Sequence, residues 1–127
     1  MQYSYSSRYH PPMPAVEVAL GAPGADFSLG PLPTIIDTGA DITIVPMEYL
    51  IHMNAPVVSS GYLRSPWGGR YSVKIYEVNM RIGEHNLYEV EVAGEPGGRE
   101  VLLGRNVLNQ LDLRLDGPNE TVIVLAS

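Results

Sequence analysis

Asp37-Thr38-Gly39-Ala40-Asp41 sets two carboxylates and a glycine inside "PTIIDTGADITIVP" (33–46), a run that is otherwise β-branched and apolar. A carboxylate between two buried strands is costly to desolvate unless it finds donors, a charged partner or a proton, so the break implies local organisation. Gly39 permits a sharp turn and close approach of another backbone, and the Thr38 hydroxyl can lock that turn by hydrogen bonding. The same triplet also suits an ordinary turn, because turn chemistry favours these residues. About 60 residues later comes Leu102-Leu103-Gly104-Arg105-Asn106, an apolar pair followed by Gly-Arg-Asn, in which a solvated arginine is the default reading.

The elements that must position these residues read as short strands. At 127 residues the chain has the size of one domain. "AVEVALG" alternates from Ala15, and "TIIDTG" and "ITIVP" flank the acidic break. "MEYLIHMN" could form a short helical turn, ended by Pro56 and Ser59-Ser60-Gly61. A meander follows from Tyr62, with a hairpin tip at Pro66-Trp67-Gly68-Gly69 and a turn at Gly83 to Asn86. "RNVLNQL" is the best helix candidate, with Val107, Leu108 and Leu111 at helical spacing, and "LDLRLDGPNETVIVLAS" reads as a second hairpin. Turns every 8 to 12 residues and one short C-terminal helix predict an all-β, closed or nearly closed barrel over residues 15–127. Residues 1–14, rich in Tyr, Ser and Pro, predict an extended N-terminal arm.

Apolar-apolar-Asp-Thr-Gly-Ala-Asp at 35–41, a glycine-tipped hairpin in mid-chain and "VLLGRNVLNQL" near the C-terminus together resemble the retropepsins, the single-domain, retroviral-type aspartic proteases. The similarity spans roughly residues 15–125, and the three features stand in that family's order. The resemblance implies hydrolysis of peptide bonds by two carboxylates sharing one proton, one activating water and the other protonating the scissile carbonyl. This chain has a single Asp-Thr-Gly, so the resemblance implies a symmetric homodimer with one Asp37 from each subunit.

Roles follow residue by residue. Asp37 would be the catalytic acid or base, Thr38 the threonine that bonds across the dimer, and Gly39 a backbone contact to substrate. Ala40 and Asp41 would border the peptide, with Asp41 paired to Arg105. Leu102 and Leu103 would pack beneath the loop, with Gly104 and Asn106 completing its support. Trp67, Gly68 and Gly69 would form the tip of a flap over the substrate, although Trp67 packed on the domain's own body is an equal expectation. Ala40 stands where bilobed pepsins carry a hydroxyl residue, which predicts activity at mildly acidic pH. The C-terminal hairpin departs from the interleaved chain ends of the retroviral dimers.

Composition narrows the alternatives. Fourteen acids against eight bases give a net charge of -6, which repels polyanions and makes nucleic acid an unfavourable partner. With no cysteine there is no disulfide, thiol nucleophile or thiolate metal site. His10, His52 and His85 lack metal-ligand spacing, so neither a metal nor a cofactor is expected. No signal-like segment or run of about 18 apolar residues occurs, so the expectation is a cytoplasmic protein without membrane insertion, or a domain of a longer precursor. Asn119-Glu120-Thr121 fits a glycosylation acceptor but also a hairpin turn. The competing function is a catalytically silent module of the same fold that dimerises or binds peptides.

Overall fold

The computed structural model describes residues 1–65 and 67–126. In chain order its elements are β1 (Gln2–Ser4), β2 (Ala15–Gly21), β3 (Leu29–Ile36), β4 (Thr43–Pro46), α1 (Met47–His52), β5 (Val57–Arg64), β6 (Arg70–Ile82), β7 (His85–Glu95), β8 (Val101–Leu103), α2 (Arg105–Leu108), β9 (Asp112–Asp116) and β10 (Thr121–Leu125). The larger sheet runs β2-β3-β8-β4-β7-β6-β5, and β2 also pairs with β6. Those six strands, β2, β3, β8, β4, β7 and β6, therefore close into a barrel, while β5 extends from β6 beyond it. The smaller sheet has the order β1-β10-β9. Among the described residues no helix is long and apolar enough to cross a membrane.

Strand alternation explains the core. In β2 the side chains of Val16, Val18 and Leu20 are buried while Glu17 is exposed, as a period of two requires. They meet Val78, Met80 and Ile82 of β6, Val92 of β7, Leu103 of β8 and Val107 of α2 in one cluster, with Val122 and Val124 of β10 joining from the smaller sheet. Burying each such side chain fully contributes roughly 1.5–3 kcal/mol. Leu50 of α1 is fully buried in the same cluster and pins that helix to the barrel.

Four local readings refine or correct the sequence expectation. Besides the C-terminal helix expected, the possible helical turn in "MEYLIHMN" forms a helix, Met47–His52, that follows Pro46 directly and buries Leu50. β5 starts at Val57, not Tyr62: pairing with β6 from Val57↔Tyr76 to Arg64↔Arg70 carries the strand through Ser59, Ser60 and Gly61. β3 likewise starts at Leu29 and runs through Gly30-Pro31, opposite an irregularity in β2 between Val18 and Leu20 that accommodates them. Finally, residues 1–14 are tied down. Gln2–Ser4 pair antiparallel with Thr121–Ile123, Tyr3 and Tyr5 pack against the core, and the Tyr9 hydroxyl donates to the Glu100 carboxylate. The open edge of β10 offers the backbone partners that such a tyrosine- and serine-rich segment can take.

The barrel has one feature that matters for chemistry. β8 lies between β3 and β4, parallel to the former and antiparallel to the latter, so the loop joining β3 to β4 must bend around its end. That loop contains Asp37.

Candidate active site

Hydrogen bonds from three sides hold the 37–42 loop. The Asp37 N–H donates to Leu103 O at 3.0 Å, continuing the β3–β8 pairing by one residue, and the Ala40 N–H donates back to Asp37 O at 3.2 Å to close the turn. The Gly39 N–H donates to Asp37 Oδ1 at 3.0 Å, so the backbone itself orients the carboxylate. From the far side, the Arg105 N–H donates to Ala40 O at 2.8 Å and its guanidinium donates to Thr38 O at 2.7 Å. Asp37 is half-buried, whereas Thr38, Gly39 and Arg105 are exposed.

Beneath the loop lies a polar knot that joins Asn106 and Gly104, named in the sequence reading, to Thr43, which was not. Thr43 is fully buried; its hydroxyl donates to Asn106 Oδ1 at 2.9 Å and accepts from the Gly104 N–H at 3.0 Å. The Thr43 N–H also donates to Asn106 Oδ1 at 2.9 Å, and Asn106 Nδ2 donates to Glu91 O at 2.8 Å. Every polar group in this knot is thereby partnered, which is what makes such a buried cluster rigid rather than costly. Gly104 is required for closeness: a Cβ there would lie 2.5 Å from Ile42 C and 2.6 Å from Ile42 O.

The β5–β6 hairpin lines one side of the site. At its tip the Ser65 N–H donates to Gly69 O at 2.6 Å, the Trp67 N–H to Ser65 Oγ at 3.1 Å, and Gly68 has a φ of +93°, a left-handed conformation that suits glycine. Pro66, placed at this tip by the sequence reading, lies outside the described residues. Trp67 is 93% exposed, so packing against the domain's own body does not occur. Between hairpin and loop runs a cleft of about 840 Å³, bordered by Asp37, Gly39, Ala40, Asp41, Leu102 and Arg105 from below. Tyr62, Leu63, Arg64, Arg70 and Tyr71 border it from the hairpin. Ile42, Ile44 and Leu63 pack on Val73, Ile75 and Ala93, giving the cleft an apolar wall. Burial, and then the nearby Glu95 carboxylate, push the Tyr71 hydroxyl above its ordinary pKa, so it stays a neutral donor in this cleft.

The structure therefore brings Asp37, Gly39, Ala40, Asp41, Leu102 and Arg105 to one cleft. The expected pairing of Asp41 with Arg105 is not formed among the described residues. The guanidinium turns instead to Thr38 O, a carbonyl in the loop it supports, and Asp41 is left exposed. Leu103 is fully buried under the loop while Leu102 reaches the cleft. The sequence reading missed Thr43, Ile42, Ile44, Glu95 and the hairpin residues Tyr62, Arg64, Arg70 and Tyr71. For the hairpin the signal was available, since large polar and aromatic residues flank the tip on both sides. Among the described residues no group of three or more His, Asp or Glu side chains is placed to hold a metal ion. His85 Nε2 donates to Leu125 O at 2.9 Å, far along the chain from this loop.

No protein-family sequence profile matches the chain, and no curated protein matches it either. Solved structures do. A protease of equine infectious anaemia virus (EIAV), complexed with the inhibitor HBY-793, superposes with a TM-score of 0.60 at 16% identity, covering 85% of this chain and 93% of the viral one. A retropepsin-like aspartic protease from Rickettsia conorii superposes with a TM-score of 0.54 at 17% identity, covering 86% and 90%. The fold is that of the retropepsins.

Proposed function

We propose that the chain, with its domain at residues 15–127, is an aspartic endopeptidase that acts as a homodimer, each subunit contributing Asp37 to a shared dyad. The observation that carries this reading is the setting of the Asp37 carboxylate. It is held by the Gly39 N–H on a loop braced by β8 and Arg105, and it borders a cleft lined on one side by a glycine-tipped hairpin. The retropepsin fold supports it at the level of reaction class. The exposure of Thr38 and Gly39 in the single chain supports the dimer, because a second copy meeting this one across a two-fold axis would cover them.

In the dimer two like charges a few ångströms apart cannot both ionise, so the pair holds one proton. The ionised Asp37 takes a proton from water as its oxygen attacks the scissile carbonyl carbon. The protonated Asp37 of the other subunit gives its proton to the carbonyl oxygen, forming a neutral gem-diol. Collapse of the gem-diol returns a hydroxyl proton to one carboxylate while the other protonates the departing nitrogen, and the C–N bond breaks. An extended peptide lying under the hairpin would pair its backbone with strand and loop edges. Apolar side chains would sit against Ile42, Ile44 and Leu63. Arg105 and the Thr43–Asn106 knot are positioning residues that fix the loop.

Incubation of the native protein and Asp37→Asn with a mixed peptide library at about pH 4 to 7, at matched dimer-forming concentration, tests the proposal. Cleavage by the native protein alone is expected. Folded dimers of both that leave every peptide intact would replace the peptidase reading with a peptide-binding module.

A further inference from the structure

The chain is acidic overall, yet residues 57–76, spanning β5, the hairpin tip and the start of β6, contain Arg64, Arg70 and Lys74 and no acid at all. The remaining residues carry all fourteen acids against five bases. The hairpin is thus a cationic arm on an anionic body.

Two details give this arm a target. Arg64 and Arg70 are directly opposite in the β5–β6 register, flanking the tip. Like charges at such a position repel and weaken the hairpin, and no described carboxylate pairs with either. A like-charge pair kept without a carboxylate partner is what an anion-binding surface shows before its ligand arrives. The second detail is orientation. The Arg70 guanidinium stacks over the Tyr62 ring, 5.1 Å from its centroid, which limits its motion while leaving its N–H edge free. Both arginines border the Asp37 cleft and also a hollow of about 530 Å³ beside Ser65 and Gly68.

Alternation settles which part of a substrate they meet. Tyr62, Arg64, Arg70 and Ser72 share one face of the hairpin, whereas Leu63, Val73 and Ile75 on the other face pack against Ile42 and Ile44. The apolar row faces the cleft wall, and the two arginines, on the other face beside the tip, reach the cleft from the hairpin's edge. The acids of the cleft come from outside the hairpin, Asp37 and Asp41 from the loop and Glu95 from the end of β7, beside Tyr71. We infer that Arg64 and Arg70 are specificity-determining residues that select peptides carrying Asp or Glu at positions flanking an apolar centre. This rests on the peptidase reading only for the site's use, not for the binding preference. In a homodimer two such edges would favour acids on both flanks.

The test is equilibrium binding to Asp37→Asn protein, which removes turnover, of a peptide with an apolar centre flanked by Glu, against versions flanked by Gln or Lys. At low salt the Glu-flanked peptide is expected to bind about tenfold more tightly than the Gln-flanked one, and the Lys-flanked one more weakly still. The preference should fall below about threefold when Arg64→Gln and Arg70→Gln are added. It should survive Arg114→Gln on β9, which changes the net charge of an exposed site elsewhere. Equal binding of the Glu and Gln peptides, no binding of either, or a preference that persists in the double variant or vanishes with Arg114→Gln overturns the inference. Cleavage of the Glu-flanked peptide by the native protein is read separately. An acid preference without cleavage retires the peptidase reading alone, and cleavage without the preference retires this inference alone.

Discussion

Replacing Thr43 by Val keeps the side chain's shape and removes its hydroxyl, so it isolates the polar knot beneath the Asp37 loop. Thr43 is 0% exposed, and its hydroxyl makes two hydrogen bonds, one given to Asn106 Oδ1 and one received from the Gly104 N–H. Asn106 Oδ1 keeps the Thr43 N–H as a donor, but the buried Gly104 N–H has no second acceptor available. Leaving such a donor unpaired costs about 1–3 kcal/mol, and the other lost bond adds roughly 1 kcal/mol, so Thr43→Val should destabilise by about 2–4 kcal/mol. Thr43→Ser keeps both bonds and deletes one methyl, which costs about 1 kcal/mol. Urea unfolding at one fixed protein concentration, necessary because assembly would raise apparent stability, gives both values. The expected order is native, then Ser, then Val. A Val variant as stable as the native protein, or more stable than the Ser variant, would show that packing rather than hydrogen bonding holds this loop.

Gly104 has an extended backbone that any residue could adopt, so its need is purely steric. Gly104→Ala should cost roughly 1–3 kcal/mol as the new Cβ pushes on Ile42 backbone, read as a lowered melting temperature with loss of peptide cleavage. Trp67→Ala should leave stability within about 0.5 kcal/mol, since the ring touches little of its own domain, yet raise KM for peptides; a clear drop in melting temperature would contradict the exposure of this ring. In the β9–β10 turn, Asp116 accepts from the Asn119 side chain and backbone N–H, and these bonds hold its carboxyl below the usual range. A lowered folded value stabilises above the unfolded value near 3.8 and is lost as pH falls through the folded one. Asp116→Ala should therefore lower the melting temperature at about pH 6, with the gap closing near pH 2.

The barrel and the Asp37 loop were legible in the sequence because both depend on local chemistry. Alternation in 15–21 marks a half-buried strand, and Asp-Thr-Gly marks a turn that must be braced. What escaped depended on partners far along the chain. Ser59, Ser60 and Gly61 look like a loop until β6 pairs with them, and Gly30-Pro31 looks like a turn until the β2 irregularity makes room. Thr43 appears to be one more β-branched strand residue; only the fold brings Asn106 and Gly104 to its hydroxyl. For Arg105 the expected partner was the Asp41 carboxylate, but its guanidinium donates to Thr38 O. A guanidinium beside a turn finds the Thr38 carbonyl before it finds the exposed Asp41.

Subunit mixing tests the shared dyad most directly. Native protein and Asp37→Asn are combined at constant total concentration, allowed to exchange subunits, and assayed for peptide cleavage. If each site needs an Asp37 from both chains, activity follows the square of the native fraction, and an equal mixture retains about a quarter of the native rate. An equal mixture that retains about half would mean that each chain works alone, and the two-subunit mechanism would be wrong.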